Sequence, residues 1–520
     1  MYSNFKILIT DSIHDSGVKK LKDAGFRVEE DTSLNKDRLK KKIKGYDGLV
    51  IRSGTDVTSD IIENGFDLKV IGRAGIGVDN IDVKAATRAG ILVMNIPSGN
   101  TISACEHTWA LIMSLARNIP FAHQALAAGR WEKKKFKGTE LYSKSLGIIG
   151  LGKIGTEVAK RAGVFNMEVL VYDPYLSKEK AKDRGVKKVE LEELLSRSDI
   201  VTVHVPGNKK TENMITSKAF KVMKKEAFFI NCARGSVVEE KALANAVKNK
   251  EIRGAAVDVY KQEPVTDSPL IGVPGIIHTP HLGAATVEAQ KRVAVRLADQ
   301  IIKYFKKDKI KNAVNTVSVD IDEEVKNLAR NLGVLCGTLS ENLTDKVIIS
   351  YISKQSKSGE EAVSRTVITG YLSQFNEGIN FINCKYIAKE KGLELISRTS
   401  SKENCPVGVT VELSSGLKVS GKLIGDTARL TGINEFIIDI PLLGRMLIIE
   451  NQDRPGVIGK LGTLLGKKGI NIGNMEVGRK DEKNSAVTVI GVDQEVPSEI
   501  ISQIGQIKDI IKVNNFVVGP

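Results

Sequence analysis

The chain has 520 residues, 42% of them hydrophobic and 27% charged, which predicts three or four domains and argues against wholesale disorder. Lysine and arginine outnumber aspartate and glutamate by 77 to 62, but the lysines are scattered and only 5% of residues are aromatic, so a solvated basic surface is favoured over nucleic-acid binding. The five cysteines show no CxxC spacing, which argues against a disulfide framework and predicts that the chain has no metal site. The sequence has neither a ~20-residue apolar run nor a signal peptide, so we expect a soluble, cytoplasmic chain with no membrane partner.

The first half of the chain alternates short apolar runs with amphipathic segments of helical length, the pattern of βα units around a parallel sheet. The apolar runs that predict the first buried strands are at 6–10, 48–52, 69–73 and 91–95. Arg52 and Arg73 stand at the ends of two of these strands, where ligands gather in parallel sheets. A helix over 101–117 leads into a second series, with strands predicted at 145–149, 168–172, 200–205, 228–231, 255–257 and 276–278.

The chain changes character after about residue 313. Residues 316–440 mix helical patterns with short strands and glycine-rich turns, and carry no chemical motif. Residues 445–518 then read strand, helix, strand, strand, helix, strand, which predicts a small ferredoxin-like α+β unit. We therefore expect two further domains after the parallel-sheet units.

A glycine motif in the second series predicts a dinucleotide site. Gly150, Gly152 and Gly155 form a G-x-G-x-x-G between a predicted strand and a predicted helix, and the next strand ends in Asp173. The glycines let the backbone approach a pyrophosphate at the positive end of the helix. The Asp173 carboxylate can accept hydrogen bonds from ribose hydroxyls and would repel a 2′-phosphate, so the pattern predicts NAD rather than NADP.

Side chains that suit hydride transfer from a secondary alcohol follow three predicted strands. Arg234 follows one strand, the two carboxylates of Asp258 and Glu263 follow another and His281 follows a third, so all are expected at one edge of the sheet, beside the nicotinamide. A histidine can take the hydroxyl proton near neutral pH, and a carboxylate on its other ring nitrogen would orient it. An arginine fork would hold a substrate carboxylate and polarise the developing carbonyl oxygen.

From residue 52 to about 313 the chain resembles the D-isomer-specific 2-hydroxyacid dehydrogenases. The motifs that carry this resemblance are at 73–80 (RAGIGVDN), 95–100 (NIPSGN), 131–136 (WEKKKF), 231–235 (NCARG) and 280–284 (PHLGA). The resemblance implies that Arg234, Glu263 and His281 are catalytic. The NAD contacts that we expect are Gly150, Gly152, Lys153, Ile154, Gly155, Asp173, Cys232, Ala233, Asp258, Gly283 and Ala284.

The resemblance also implies that a Rossmann-type NAD-binding domain, residues 98–286, is inserted in a flavodoxin-like substrate-binding domain made of 1–97 and 287–315. Closure of the cleft between them would exclude water from the hydride transfer. We expect Arg52 to be the main partner of a substrate phosphate. The full set of expected substrate contacts is Arg52, Arg73, Gly75, Ile76 and Asn100.

Some residues in this region leave alternatives open. The basic run 130–137 either assists substrate binding, from a neighbouring subunit, or is a solvated turn. Ile76 stands where some relatives have threonine, a change that removes a side-chain hydrogen bond and keeps the backbone contact. His107, His123 and His204 fall in helical or strand patterns, and we expect packing roles for them.

Residues 448–459 and 468–472 resemble the start of an ACT domain. The resemblance implies two C-terminal regulatory domains, an intervening one and the ACT domain, over 316–440 and 441–520. Asp453 and Asn471 are expected to bind a small amino acid where two ACT units pair, and the effector that the resemblance implies is L-serine. An ACT unit used only for dimerisation is the alternative.

These features together predict an α/β chain with two doubly wound parallel-sheet domains followed by two α+β domains. The resemblance implies that the chain is an enzyme, that the two α+β domains are regulatory and that the assembly is a homotetramer. The resemblance implies NAD-dependent oxidation of 3-phosphoglycerate to 3-phosphohydroxypyruvate, the first step of phosphorylated L-serine biosynthesis, with feedback inhibition by L-serine. A glyoxylate or hydroxypyruvate reductase is the nearest alternative, which the long C-terminal extension disfavours. A non-catalytic NAD-sensing scaffold would have a broken Arg/Glu/His set, whereas all three residues are present.

Overall fold

The computed structural model describes residues 5–318, 321–353, 359–401, 405–479 and 484–519, and arranges them around four β-sheets. The two sheets of the first half are wholly parallel, while those of the second half contain antiparallel pairs. Within these ranges no helix combines the length and apolar composition needed to cross a membrane. The two parallel sheets carry the predicted nucleotide and catalytic motifs.

The first unit is a five-stranded parallel sheet with the strand order β2-β1-β3-β4-β5, the flavodoxin-like order. Its elements are β1 (Lys6–Ile9), α1 (Asp15–Asp23), β2 (Arg27–Glu30), α2 (Lys36–Lys42), β3 (Gly48–Ile51), α3 (Ser59–Asn64), β4 (Val70–Arg73), α4 (Val83–Arg88) and β5 (Leu92–Met94). The central strand β3 reads GLVI and is buried throughout, which explains its strong signal in the sequence. The edge strand β2 reads RVEE and is largely exposed, so a search for apolar runs misses it.

The second unit is a seven-stranded parallel sheet with the order β12-β11-β10-β9-β6-β7-β8, the arrangement of a dinucleotide-binding fold. Two helices lead into it, α5 (Thr101–Ala116) and α6 (Ile119–Ala127). The remaining elements are β6 (Ser145–Ile149), α7 (Lys153–Val164), β7 (Glu168–Tyr172), α8 (Lys178–Asp183), β8 (Lys187–Lys188), α9 (Leu191–Arg197), β9 (Ile200–Val203), α10 (Ser217–Val222), β10 (Phe228–Asn231), α11 (Glu240–Lys248), β11 (Gly254–Val257) and β12 (Ile276–His278). Because all strands run in one direction, the loops after β10, β11 and β12 emerge at the same edge.

The next helix, α12 (Val287–Lys307), returns to the first unit and packs on its sheet. A side chain at Gly72 in β4 would lie 3.0 Å from Leu297 and 3.2 Å from Ile301, so the bare glycine backbone lets the helix approach the strand closely. Beyond the helix, the Asn315 side chain accepts from the Val93 backbone N–H at 3.0 Å. The segments that precede and follow the second unit along the chain therefore belong together to the first unit.

The second half of the chain contains two α+β units. The first has the sheet order β14-β13-β15-β16-β17-β18 and the elements α13 (Glu323–Leu339), β13 (Lys346–Ser353), α14 (Glu360–Leu372), α15 (Cys384–Glu390), β14 (Glu394–Ser401), β15 (Gly408–Leu413), β16 (Lys418–Ile424), β17 (Thr427–Ile433) and β18 (Phe436–Pro441). The last unit has the order β20-β21-β19-β22 and the elements β19 (Arg445–Gln452), α16 (Val457–Lys467), β20 (Ile472–Arg479), β21 (Ser485–Val492), α17 (Ser498–Gly505) and β22 (Ile510–Val517). The predicted fold class, two doubly wound units followed by α+β units with a ferredoxin-like end, is confirmed.

The two C-terminal units share one hydrophobic core. Met446, Ile448 and Phe516 of the last sheet belong to the same buried cluster as Leu328 and Leu332 of α13. Gly519 is also held to this helix by the buried side chain of Asn331. Asn331 Oδ1 accepts from the Gly519 backbone N–H at 3.0 Å, and Asn331 Nδ2 donates to the Gly519 carbonyl at 3.1 Å. These contacts join the two units into one packed body.

This C-terminal body docks on the first unit through the segment between α14 and α15. The Asn380 side chain donates to the Gly90 backbone carbonyl at 2.9 Å. Ile382 is buried in the core of the first unit, beside the returning helix α12. The C-terminal body is thus attached to the sheet that bears Arg52 and Arg73.

Candidate active site

A cleft of about 1150 Å³ lies between the two parallel-sheet units, at the carboxyl ends of their strands. One wall comes from the loops after β3 and β4, and the other from the loops after β10, β11 and β12. The predicted site residues that line it are Arg52, Arg73, Gly75, Ile76, Asn100, Ile154, Cys232, Ala233, Arg234, Asp258, Glu263, His281, Gly283 and Ala284. The structure therefore brings the predicted catalytic and substrate-binding residues into one cavity.

His281 and Glu263 form a hydrogen-bonded pair in this cleft, with Nδ1 2.6 Å from Oε2. An ionised carboxylate only accepts hydrogen bonds, so in a neutral imidazole the proton is on Nδ1 and the lone pair is on Nε2. The backbone N–H of Tyr260 donates to Glu263 Oε1 at 3.0 Å and holds the carboxylate from its other side. Burial raises the pKa of Glu263, but the hydrogen bonds from His281 and Tyr260 outweigh it, and the pKa lies below its usual value.

Arg234 reaches from the loop after β10 across the cleft to the first unit. Its Nε donates to Asp79 Oδ2 at 3.0 Å, and its Nη1 donates to the Ala233 carbonyl at 2.7 Å. The guanidinium fits closely against the loop after β4, because a side chain at Gly77 would begin 2.1 Å from Nη2. Arg234 is thus held in the cavity that His281 faces, in a position to bind a carboxylate.

Asp258 holds together the loop that carries His281. Only 1% of its side chain is exposed, and its Oδ1 accepts from the Leu282 backbone N–H at 2.7 Å and its Oδ2 from the Gly283 N–H at 2.9 Å. Its backbone carbonyl accepts from the His281 N–H at 2.8 Å. Burial raises the pKa of Asp258, but hydrogen bonds from His107, Thr279 and Leu282 lower it more, so that it lies below its usual value.

The glycine turn between β6 and α7 has the shape that a pyrophosphate needs. Gly150 has φ +96°, and a side chain at Gly155 would lie 2.2 Å from the Gly150 carbonyl, so neither position tolerates another residue easily. Space is open at Gly152, just before α7 begins at Lys153. The Leu151 backbone N–H donates to Asp173 Oδ2 at 2.9 Å, which fixes the carboxylate beside this turn. The residues therefore fit a dinucleotide at the helix N-terminus.

Three guanidinium groups, those of Arg52, Arg73 and Arg234, line the same cleft. Burial, followed by repulsion from Arg234, lowers the pKa of Arg73 to about 10. Its Nε donates to Asn80 Oδ1 at 3.3 Å, and the bare Gly75 leaves room for Nη1. This end of the cleft is a concentrated positive region that suits a ligand with several negative charges.

Comparison with known proteins identifies the family. The D-isomer-specific 2-hydroxyacid dehydrogenase NAD-binding domain matches residues 109–283, the D-3-phosphoglycerate dehydrogenase intervening domain 323–434 and the ACT domain 445–509. The D-3-phosphoglycerate dehydrogenase of Methanocaldococcus jannaschii is 40% identical over 522 residues, which cover 98% of this chain and 99% of the relative. That of Synechocystis sp. is 39% identical over 517 residues, which cover 97% and 93% of the two chains. The chain belongs to the D-3-phosphoglycerate dehydrogenase family.

A solved structure is similar to part of the chain. The NAD⁺-bound 3-phosphoglycerate dehydrogenase of Entamoeba histolytica matches with a TM-score of 0.52 at 26% identity, covering 60% of this chain and 99% of that one. These comparisons confirm the predicted family resemblance, the class of NAD-dependent oxidoreductase and NAD as the cofactor.

The other histidines of this phosphoglycerate dehydrogenase family member differ in their surroundings. His107 on α5 lies 3.1 Å from both Asp258 Oδ1 and Thr279 Oγ1, a polar contact that the expected packing role did not include. His123 is exposed on α6, so its predicted packing role is wrong. His204 lies just after β9 in the cleft wall, and burial lowers its pKa to about 4. Sequence reasoning missed His107 because a polar residue on a buried helix has no spacing signal that points to its partner.

Two predicted regions lie away from the cleft. The basic run contains a 3₁₀ turn at Lys133–Phe136 beside Trp131, whose surface is 82% exposed, and it does not line the cavity. In the ACT unit, Asn471 Nδ2 donates to Asp493 at 2.6 Å, while Asp453 lies 3.5 Å from Arg479. The two residues expected to bind an effector therefore each have a partner within their own chain.

Proposed function

We propose that this chain oxidises D-3-phosphoglycerate to 3-phosphohydroxypyruvate with NAD, as the first step of phosphorylated L-serine biosynthesis in the cytoplasm. The observation that carries the proposal is the shared cleft, in which a histidine–glutamate pair and three arginines surround one cavity. The near full-length relatives named D-3-phosphoglycerate dehydrogenase support the same substrate.

His281 acts as the acid/base. Its Nε2 accepts the proton of the substrate 2-hydroxyl, while bound NAD supplies the acceptor for the hydride that leaves C2. Glu263, 2.6 Å from Nδ1, stabilises the imidazolium that forms and keeps the ring oriented. In the reverse direction the same imidazolium returns the proton to the carbonyl oxygen. The lowered pKa of Glu263 keeps this carboxylate charged near neutral pH.

Arg234 binds the substrate carboxylate, and Arg52 and Arg73 bind the phosphate. A phosphate monoester and a carboxylate together carry roughly −2.5 to −3 charge at pH 7, which three guanidinium groups neutralise. Glyoxylate and hydroxypyruvate lack the phosphate, so they would not supply an anion to Arg52 and the half-buried Arg73. This charge balance favours the phosphorylated substrate over those of a glyoxylate or hydroxypyruvate reductase.

The predicted NAD contacts belong to the same proposal. The turn from Gly150 to Gly155 and Asp173 would hold the pyrophosphate and ribose. Lys153 and Ile154, with Cys232, Ala233, Gly283 and Ala284, would complete the cofactor wall. The Lys153 Nζ also donates to the Pro97 carbonyl at 3.5 Å, which links the cofactor turn to the first unit.

Regulation and assembly complete the proposal. We infer a homotetramer in which ACT units pair and bind L-serine between Asp453 and Asn471. The ACT match over residues 445–509 supports a regulatory role for this unit. The ammonium of a small amino acid suits the Asp453 carboxylate, and its carboxylate suits amide donors.

The deciding assay is NADH consumption with 3-phosphohydroxypyruvate, hydroxypyruvate and glyoxylate, each with and without L-serine. We expect kcat/KM to be about 100-fold or more higher with the phosphorylated substrate, since two arginines bind the phosphate. Equal efficiency with hydroxypyruvate would sink the substrate assignment. Turnover that L-serine leaves unchanged would sink the effector assignment and spare the rest.

One variant distinguishes the proposed enzyme from a non-catalytic NAD-binding scaffold. His281→Ala should retain NADH binding, measured by fluorescence, and lose turnover by about 1,000-fold or more. A wild-type chain that binds NADH and turns over none of the three keto acids would favour the scaffold.

A further inference from the structure

We propose that His107 is a positioning residue that holds the catalytic loop of His281 in place through Asp258; this inference rests on the proposed function. His107 lies on α5, 3.1 Å from Asp258 Oδ1 and 3.1 Å from Thr279 Oγ1. It contacts neither His281 nor Glu263 in the part of the chain that the structure describes, so its effect on the chemistry is indirect.

The chain of contacts begins at Asp258, which is almost fully buried. A buried carboxylate is tolerated only when donors surround it. Thr279 Oγ1 donates to Oδ1 at 2.6 Å, and the backbone N–H groups of Leu282 and Gly283 donate to the two oxygens. All three of these donors come from the loop after β12, so the carboxylate clamps that loop against β11.

His107 supplies the donor that comes from outside the loop. Because the Thr279 hydroxyl donates its proton to Asp258, its oxygen is free to accept a hydrogen bond from His107 Nε2. The same Nε2–H points at Asp258 Oδ1, so the proton is shared between the two oxygens. The imidazole thereby ties the long helix α5 to both members of the clamp.

The loop needs such support because His281 has an unusual backbone. Its φ is +55°, in the left-handed region that residues with a side chain rarely adopt. A conformation of this kind persists only where the surroundings determine it. The Asp258 carbonyl accepts the His281 N–H at 2.8 Å, so the clamped segment fixes the backbone, while Glu263 fixes the ring.

Removing the His107 donor should therefore lower kcat more than it raises KM. Arg234, which binds the substrate carboxylate, is not part of the clamp, so substrate binding is preserved while the imidazole is displaced. A shift of about 1 Å at a reacting group reduces rates by one to two orders of magnitude. We expect kcat to fall by about tenfold or more.

The test compares His107→Gln with His107→Asn in the full-length protein. The glutamine amide can reach the position of Nε2 and donate to Asp258, whereas the shorter asparagine amide falls short, although both remain polar and of similar size. We expect His107→Asn to lower kcat for 3-phosphohydroxypyruvate reduction about tenfold with KM changed less than about twofold, and His107→Gln to recover most of kcat. The matched control is His123→Asn on exposed α6, which should leave both constants unchanged.

Equal kcat in His107→Asn and wild type overturns the inference, as does an equal loss in both His107 variants. A wild-type chain inactive on 3-phosphohydroxypyruvate overturns the proposed function instead. In that case a crystal structure of His107→Asn decides this inference without turnover. A loop 279–284 displaced from its wild-type position supports it, and an unmoved loop overturns it.

Discussion

Asp79 and Arg234 form an ion pair that joins the two units across the cleft, with Oδ2 3.0 Å from Nε. The guanidinium that we assign to the substrate carboxylate therefore already has a carboxylate partner. The Asp79 side chain is 58% exposed and that of Arg234 30% exposed, so the pair is well solvated and weak. A bound substrate can displace Asp79 at small cost.

The first prediction follows from this competition. Asp79→Asn removes the internal carboxylate, so KM for 3-phosphohydroxypyruvate should fall by up to about fivefold, the upper limit for a solvated ion pair. Steady-state kinetics measures the change. Asp56→Asn, at an exposed position of the same unit, is the control and should leave KM unchanged. A raised KM would mean that Asp79 orients Arg234 for binding.

The second prediction concerns the carboxylate beside His281, the proposed acid/base. Glu263→Gln keeps a hydrogen-bond acceptor at His281 Nδ1 and removes the negative charge that stabilises the imidazolium. We expect kcat to fall about 10- to 100-fold with little change in KM, because the charge acts only when the proton is transferred. Glu226→Gln, at a side chain that is 81% exposed, should have no effect. A loss that appears mainly in KM would assign Glu263 to substrate binding.

The third prediction separates the phosphate from the rest of the substrate. Arg52→Ala should lower kcat/KM for 3-phosphohydroxypyruvate about 100-fold, since charge-assisted hydrogen bonds to the phosphate are lost. Activity with hydroxypyruvate, which has no phosphate, should change less than about twofold. Arg27→Ala, exposed at the start of β2, is the control. Equal losses with both substrates would place Arg52 at the carboxylate instead.

The sequence could predict those site residues that follow a recognisable strand, but not the contacts between residues that are far apart in the chain. Arg234, Glu263 and His281 each follow a buried strand of a parallel sheet, and such strands bring their ends to one edge. The partner of Arg234 is 155 positions away, on the other unit, and no local pattern connects them. His107 and Thr279 are in the same unit but 172 positions apart, so no local pattern connects them either. Such contacts depend on how helices, loops and units pack, which apolar periodicity does not encode.

The fourth prediction is a loss of stability in acid that originates at His204. Burial lowers its pKa to about 4, and its Nδ1 is buried without a hydrogen-bond partner among the described residues. The unfolded chain, with a histidine pKa of ~6.5, takes up the proton at a higher pH than the folded chain does. The free energy of unfolding is therefore at its full value above pH ~6.5 and decreases as the pH falls towards ~4. At pH 5 the free energy of unfolding is lower by about 2 kcal/mol.

Thermal unfolding at pH 7 and pH 5 measures this effect. His204→Gln cannot titrate, so its unfolding temperature should fall less between the two pH values than that of the wild type. His123→Gln, at the exposed position, should behave as wild type. An unchanged acid loss in His204→Gln would show that other groups cause it.

The fifth prediction tests the attachment of the C-terminal body to the first unit. Gly90 has φ +73°, and a side chain there would begin 2.3 Å from Asn380 Nδ2 and 3.0 Å from Asn383 Nδ2. Gly90→Ala therefore adds a collision at the docking segment to a strained backbone. Gly25→Ala is the matched control, because Gly25 also has a positive φ, +92°, but nothing lies within 4 Å of its added carbon.

We expect Gly90→Ala to increase hydrogen exchange of the backbone at residues 378–383, where Gly25→Ala leaves it unchanged. Because Asn380 bonds the Gly90 carbonyl and Ile382 is buried beside α12, pushing this segment away also exposes part of the core of the first unit. The proposed catalytic residues lie elsewhere, so kcat should be retained within about twofold while the proposed inhibition by L-serine weakens. Equal exchange in the two variants would mean that the docking segment accommodates the added methyl group without leaving its place, and that the C-terminal body is attached mainly by other contacts.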